Sequence, residues 1–279
     1  MRNGYKTDGE HLVFYIDKKL LTNQVSSTLK TLLAFTGRAD ELAVFFNDVT
    51  VVNMAGRIVI AGNSIAKKYH MNSPEFNAIF KRFLLDSFLI PHSMFDEFYR
   101  FSIRAVKASQ ETIQDSLRRK IRNHARGRGE RCYMCGVNLD FNINGVKTPQ
   151  SKDDHYEFTC EHIWPREYGG NSVEYNLLPA CKSCNSSKKK NFASWVMPSI
   201  QSLIHGLNPD QENLQMIAGS HKFAMHYRYA QQLANKRQLS LKEAFLKIGP
   251  WENVEVIRAD DSADFFNLKN YQYNPQLFT

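Results

Sequence analysis

Two Cys-x-x-Cys pairs constrain the fold of this chain more than any other feature of its sequence. Cys132 and Cys135 form the first pair, Cys181 and Cys184 form the second, and residues 136–180 separate them. Two intervening residues let one tight turn present both sulfur atoms to the same ion, and two such pairs are typical of a tetrahedral zinc site. We therefore predict a structural Zn²⁺ that ties together the two ends of an inserted unit.

The other uses of cysteine fit the sequence less well. Disulfide bonds are expected in secreted proteins, whereas residues 1–6 are polar and do not begin the apolar stretch of a signal peptide. A redox dithiol needs only one Cys-x-x-Cys pair, and this chain has two. The fifth cysteine, Cys160, lies outside both pairs, and we interpret it as a small buried hydrophobic residue.

Composition indicates a globular chain with an affinity for polyanions. The chain has 279 residues, of which 43% are hydrophobic, and its net charge is 36 − 28 = +8. That length fits two domains, or one domain with large appendages. The sequence contains no run of about 18 apolar residues, so we predict no membrane span and a cytoplasmic location.

Positive charge is concentrated in two short runs. Half of the excess lies in residues 110–195, which carry 14 basic and 10 acidic side chains. By itself a basic run also fits a solvated helix face, so its meaning depends on what surrounds it. The first run comprises Arg118, Arg119, Lys120, Arg122, Arg126, Arg128 and Arg131, and the second comprises Lys182, Lys188, Lys189 and Lys190.

Hydrophobic patterning predicts a mixed N-terminal segment followed by helices. The β-branched and aromatic residues of 11–16 predict a strand, and residues 41–53 and 57–61 predict a hairpin that turns at residues 54–56. Ser73 and Pro74 mark the start of a helix that Pro91 ends. Further helices are predicted over 24–36, from Pro91 to about 108, over 109–125 with an end at Gly127 and Gly129, over 221–236 and over 240–248.

The segment between the cysteine pairs carries an ordered set of polar residues. Glu161 and His162 are followed by Pro165, by the pair Gly169–Gly170 and by Asn176. Asn185 then comes directly after the second cysteine pair. This pattern resembles the HNH endonuclease family, also called His-Me finger or ββα-metal nucleases, over about residues 115–195. The family motif has an acidic-His dipeptide on a first strand, an Asn on a second strand and a His or Asn on a helix.

The resemblance implies a role for each of these residues. His162 would be the general base that takes a proton from water, a task that suits an imidazole with an ordinary pKa of about 6.5. Glu161 and Asn185 would bind one Mg²⁺ or Mn²⁺, although the family more often has Asp and His at these positions. Asn176 would brace the loop that holds the His strand. The resemblance therefore implies an HNN-type variant with two metals, one for catalysis and one for the fold.

A second acidic-His dipeptide, Asp154–His155, offers a competing register. It lacks the following Pro and Gly-Gly, and a poor strand pattern separates it from Asn171. His162 precedes Asn176 by fourteen residues and Asn176 precedes Asn185 by nine, both in keeping with the family. We therefore take Glu161–His162, rather than Asp154–His155, as the acidic-His dipeptide of the motif.

Because the two basic runs flank this motif, we interpret them as a nucleic-acid-binding surface. We predict that Arg118, Arg119, Arg122, Arg126, Arg128, Lys188, Lys189 and Lys190 contact the phosphates of DNA with little sequence preference. Arg166 fits either a phosphate contact or an ion pair with Glu167 or Glu174. Trp164 fits packing against the zinc module better than stacking on a base.

Together these inferences predict an α+β protein in three segments. Residues 1–109 are expected to form an α+β domain for target or partner recognition, residues 110–198 the zinc-stabilised ββα-metal nuclease module, and residues 199–279 a mainly helical extension. The expected activity is hydrolysis of DNA, with a role in bacterial restriction or anti-phage defence that includes partner subunits. A mobile-element or phage nuclease and a non-catalytic zinc-stabilised nucleic-acid-binding subunit are the alternatives. With one site per chain, duplex cleavage requires a dimer or two sequential nicks.

Overall fold

The fold is known from a computed structural model that describes residues 4, 6–21, 27–28, 30–32, 34, 39–88, 90–141, 154–186, 226–227 and 229–250. Helices and one small antiparallel sheet make up this part of the chain, which confirms the α+β class. The helices and strands are α1 (Asp8–Tyr15), α2 (Ala39–Ala66), α3 (Pro74–Phe88), α4 (His92–Gln110), α5 (Asp115–Arg128), β1 (Phe158–His162), β2 (Leu177–Cys181), α6 (182–186), α7 (229–237) and α8 (Leu241–Ile248). None of the described helices combines the length and the hydropathy that a membrane-spanning segment needs.

The strand predicted over residues 11–16 is wrong, because these residues form α1 and the π-helical turn Ile16–Leu20 that continues it. A capping box starts the helix: Thr7 Oγ1 accepts from the backbone N–H of Glu10, and the Glu10 carboxylate accepts from the backbone N–H of Thr7. This start signal outweighs the β propensity of the residues that follow.

The hairpin predicted over residues 41–61 is also wrong, because α2 runs through it without interruption. Val51, Val52, Ala55, Ile58 and Val59 are buried, and their spacing is that of one helix face. Burial against neighbouring helices compensates for the weak helix propensity of valine and isoleucine. The part of the N-terminal segment that the structure describes contains no strand.

Helix α3 follows its predicted limits closely. It begins at Pro74, and Ser73 caps it by accepting the backbone N–H of Phe76 through Oγ at 3.1 Å. Helix α4 follows Pro91 as predicted, but it extends to Gln110. The basic helix α5 therefore starts at Asp115 rather than at residue 109, and it ends at Gly129, whose φ of 61° is the left-handed conformation that glycine adopts readily.

Two hydrophobic cores organise the described residues. The first lies among α1–α4, with Leu12, Phe76, Phe80 and Phe98 fully buried. The second joins α5, the sheet of β1 and β2, and the C-terminal helices; it includes Met134, Ile163, Trp164, Tyr227 and Phe245. The described part of the C-terminal segment is helical as predicted, and it packs in the same core as the cysteine pairs. The domain boundaries after residues 109 and 198 stay predictions.

The loop between β1 and β2 connects these two cores. The backbone N–H of Gly9 donates to Gly169 O at 2.8 Å, and the short helical turn Arg166–Tyr168 packs against α2 and α4. A Cβ atom at Gly56 of α2 would lie 2.7 Å from the ring of Tyr168. Gly56 therefore lets the ring of Tyr168 pack closely against α2. It does not form the hairpin turn that the sequence predicted.

Candidate functional site

The four paired cysteines come together at one point of the structure. Their sulfur atoms all lie within 4.8 Å of one another, and the sulfurs of Cys135 and Cys181 are 3.8 Å apart. A tetrahedral zinc ion with Zn–S bonds of about 2.3 Å requires sulfur–sulfur distances of about 3.8 Å. The cluster therefore fits a zinc ion bound by four thiolates, whereas Cys160 lies outside it.

Local backbone geometry explains how these sulfurs converge. Gly136, with a φ of 72°, closes the first turn as its N–H donates to Cys132 O at 2.8 Å. Cys181 ends β2, and Cys184 follows in α6 with its N–H directed at the sulfur of Cys181 at 3.4 Å. The end of β2 thus places Cys181 and Cys184 next to the turn that carries Cys132 and Cys135.

Thiols this close cannot all ionise without a cation. Hydrogen bonds from the neighbouring thiols lower the pKa of Cys132, whereas hydrogen bonding to Cys132 and burial raise the pKa of Cys184. A bound Zn²⁺ replaces the protons and removes this conflict, because the thiolate is the form that binds metal. The donor set thus fits zinc in both geometry and charge.

The Glu161–His162 dipeptide ends β1, which pairs antiparallel with β2. Glu161 lies opposite Leu178, and His162 lies opposite Leu177. The competing dipeptide at 154–155 lies in a 3₁₀ turn before β1, and His155 is exposed. Only the register of His162 therefore places an acidic-His dipeptide in the sheet.

Asn176 closes the loop that joins the two strands. Its Oδ1 accepts from the backbone N–H of Trp164 at 2.8 Å, and its Nδ2 donates to Trp164 O at 3.0 Å and to Asn171 O at 2.9 Å. The side chain is buried, so these three bonds are shielded from water. This arrangement suits the predicted brace, because it connects the residues after His162 to the start of β2.

Asn185 reaches the strand that carries Glu161. Its Nδ2 donates to Thr159 Oγ1 at 3.1 Å, and Thr159 and Glu161 share one face of β1 because strand side chains alternate. Its Oδ1 is buried and has no hydrogen-bond partner among the described residues. Glu161 is itself buried, at 4% exposure. Carboxylate and amide oxygens are ligands of the type that Mg²⁺ or Mn²⁺ prefers.

His162 meets a residue that the sequence did not single out. Its Nε2 lies 2.9 Å from Ser172 Oγ, and Ser172 is bonded in turn to Glu111, which follows α4. Asn171 contacts both Glu111 and Asp8. No local pattern marks Ser172 or Glu111, because their contact joins parts of the chain 61 residues apart.

The arginines of α5 fall into two groups. Burial raises the pKa of the Cys160 thiol to about 11, and the guanidinium groups of Arg118 and Arg122 oppose that rise, so both lie near β1. Arg122 donates to Phe141 O at 2.6 Å and lies over the ring of Phe158, which is a structural use. The residues that remain exposed to solvent are Arg118, Arg119, Arg126 and Arg128.

Other predicted contacts have different partners from those expected. Glu174 pairs with Lys120 at 2.6 Å, and Arg166 donates through Nη1 to Glu111 O at 3.2 Å. Trp164, in contrast, is buried in the second core together with Cys132, Cys181 and Cys184, as the predicted packing against the zinc module requires. The predicted phosphate ligands Lys188, Lys189 and Lys190 lie outside the described residues.

Comparison with known proteins assigns this part of the chain. The model of the HNH endonuclease family matches residues 132–191, a segment that begins at the first cysteine pair and includes both strands. No curated protein and no solved structure gives a significant match. The chain therefore contains an HNH endonuclease domain at residues 132–191, with four cysteines placed to bind zinc.

Proposed function

We propose that this chain is a metal-dependent endonuclease that hydrolyses phosphodiester bonds of DNA. The observation that carries the proposal is the buried Oδ1 of Asn185, which has no hydrogen-bond partner among the described residues and whose side chain is bonded to Thr159 on the Glu161 face of β1. A buried carbonyl oxygen without a partner costs free energy unless something else satisfies it. A divalent cation held by Glu161 and Asn185 would satisfy it.

The residues of the site then have distinct tasks. His162 accepts a proton from the water that attacks the phosphorus, and Glu161 and Asn185 hold the cation. When bound, Mg²⁺ or Mn²⁺ stabilises negative charge on the phosphate and on the leaving 3′-oxygen. Asn176 keeps the end of β1 in register with β2, and the cysteine-bound zinc secures the fold around them.

A cleavage assay on zinc-loaded protein tests the activity. We expect supercoiled plasmid to be nicked or linearised when Mg²⁺ or Mn²⁺ is present, to stay intact when both are omitted, and to be cut once Mg²⁺ is added back. Binding without cleavage under both metals would instead support the non-catalytic nucleic-acid-binding alternative. Single-stranded DNA tested in parallel defines the substrate form. The roles in defence or mobile elements, the partner subunits and the oligomeric state stay predictions.

The exposed arginines of α5 lead to a prediction for DNA binding. We expect the double variant Arg118→Ala/Arg119→Ala to weaken binding and to reduce the slope of log K against log salt by about 2, since each lost phosphate contact removes about 0.9. The measurement is a series of fluorescence-anisotropy titrations at several salt concentrations, with a short DNA duplex and no Mg²⁺.

The control for this prediction removes the same charge elsewhere. Lys67 and Lys68 are exposed residues that follow α2 in the N-terminal helical part, so the variant Lys67→Ala/Lys68→Ala alters the net charge equally. We expect it to leave the slope unchanged. Equal slopes for both double variants would show that α5 is not a specific contact surface.

A further inference from the structure

The imidazole of His162 is held by a hydroxyl from the loop between the two strands. His162 Nε2 lies 2.9 Å from Ser172 Oγ, and Ser172 is buried, at 7% exposure. A bond of this length in a protected position restrains the ring orientation. Which atom donates in this contact decides which nitrogen of the imidazole carries the proton.

The partners of Ser172 indicate the direction of that bond. The hydroxyl has a single proton, and Ser172 Oγ donates it to the backbone carbonyl of Glu111 at 3.1 Å, because a carbonyl oxygen accepts only. With its own hydrogen directed at Glu111, Ser172 Oγ accepts the hydrogen bond from Nε2–H of His162. A neutral imidazole has one ring proton, so Nδ1 of His162 is the nitrogen with the lone pair.

Ser172 is in turn fixed from the N-terminal helical part of the chain. Its backbone N–H donates to Glu111 Oε2 at 2.9 Å, and the side chain of Asn171 donates to Glu111 Oε1 at 3.2 Å. Glu111 directly follows α4, whose buried residues Phe98 and Ala105 belong to the first core. The position of the hydroxyl is thus set by a core outside the HNH domain.

A second contact holds the same loop from the start of α1. The backbone N–H of Asp8 donates to Asn171 Oδ1 at 2.8 Å, and Asn171 Nδ2 donates to Asp8 Oδ2 at 3.1 Å. Asp8 also pairs with Arg104 of α4. The residue before Ser172 is therefore held by both α1 and α4, which leaves the loop little freedom to shift.

We propose that Ser172 is a positioning residue for His162. Held by Glu111, it keeps the imidazole in the Nε2-protonated tautomer, in which Nδ1 carries the lone pair that a general base needs. The N-terminal helices thereby contribute to catalysis without touching the substrate. The kinetic consequences rest on the proposed nuclease function, whereas the tautomer does not depend on it.

The kinetic test compares two serine variants. We expect Ser172→Ala to lower kcat about tenfold, the effect of losing one orienting hydrogen bond, with KM for DNA and zinc content unchanged. Ser172→Thr, which retains the hydroxyl, should recover most of the rate. Ser102 is also buried but has no hydrogen-bond partner among the described residues, so Ser102→Ala is the matched control and should retain the wild-type kcat.

A spectroscopic test uses the wild-type chain and needs no activity. In zinc-loaded protein without Mg²⁺ at pH 8, the ¹⁵N resonances of the His162 ring, assigned by their loss in His162→Ala, should show a protonated Nε2 and an unprotonated Nδ1. The opposite tautomer would overturn the proposal, and so would an unchanged kcat in Ser172→Ala. Absence of cleavage by the wild type would contradict the proposed function but leave the tautomer result decisive.

Discussion

Replacing His162 by alanine will abolish DNA cleavage while leaving DNA binding and bound zinc intact. A positioned general base contributes about 10²–10⁴-fold to a hydrolytic rate, and in the proposed mechanism no other side chain takes the proton from water. His162 stands at the end of β1 and is not part of the four-cysteine cluster, so its loss leaves that cluster in place. The measurements are single-turnover cleavage with Mg²⁺, DNA affinity without Mg²⁺, and zinc stoichiometry.

The matched control for this result is His155→Ala. His155 belongs to the second acidic-His dipeptide, and it is exposed and lies before the sheet. We expect this variant to cleave at the wild-type rate. If His155→Ala lost activity and His162→Ala retained it, the register of the motif would be wrong by seven positions.

Removing zinc will unfold the second hydrophobic core. Structural zinc contributes about 10–16 kcal/mol of apparent binding free energy in small zinc-binding peptides, and whole domains are stable by only about 5–15 kcal/mol. Cys132, Cys181 and Cys184 are buried in the same core as Trp164. Extraction of zinc by a strong chelator should therefore eliminate the cooperative unfolding of this core, as followed by circular dichroism during a thermal scan.

Cysteine variants separate this effect from that of the catalytic cation. Cys181→Ser and Cys132→Ser should each bind much less than one zinc per chain and show the same loss of cooperative unfolding. Cys160→Ser is the control, because Cys160 lies outside the cluster, and it should retain one zinc. A full zinc complement in Cys181→Ser would exclude the four-cysteine zinc site. Mg²⁺ alone should not restore the fold of chelator-treated protein, whereas Zn²⁺ should.

Contacts between the two cores connect the N-terminal helices to the loop beside His162. The loop that positions His162 is bonded to α1 and α4, and the ring of Tyr168 packs at Gly56 of α2. Changes in the N-terminal helices can therefore reach the imidazole through a few hydrogen bonds. A segment that binds a target or a partner would be well placed to influence catalysis in this way.

Local signals were sufficient wherever the constraint lay within a few residues. Ser73 and Pro74 predicted the start of α3, and the spacing of the cysteine pairs predicted a cluster that the structure assembles. The same reasoning was wrong for residues 11–16 and 41–61, where β-branched content suggested strands. The capping box at Thr7 and the helical spacing of the buried residues favour helices there, and they outweigh the β propensity of the valine and isoleucine side chains.

By itself the sequence determined which ligand and proton-accepting groups this protein carries: four thiols in two Cys-x-x-Cys pairs, and Glu161, His162, Asn176 and Asn185 in the order of the HNH motif. Such information is local, because ligand type and short spacing already decide which metal or proton a residue can hold. Only the tertiary structure decided that Ser172 bonds to His162 and that Glu111 holds Ser172. Their contact spans 61 residues and depends on how two hydrophobic cores pack together, and no short pattern along the chain encodes that.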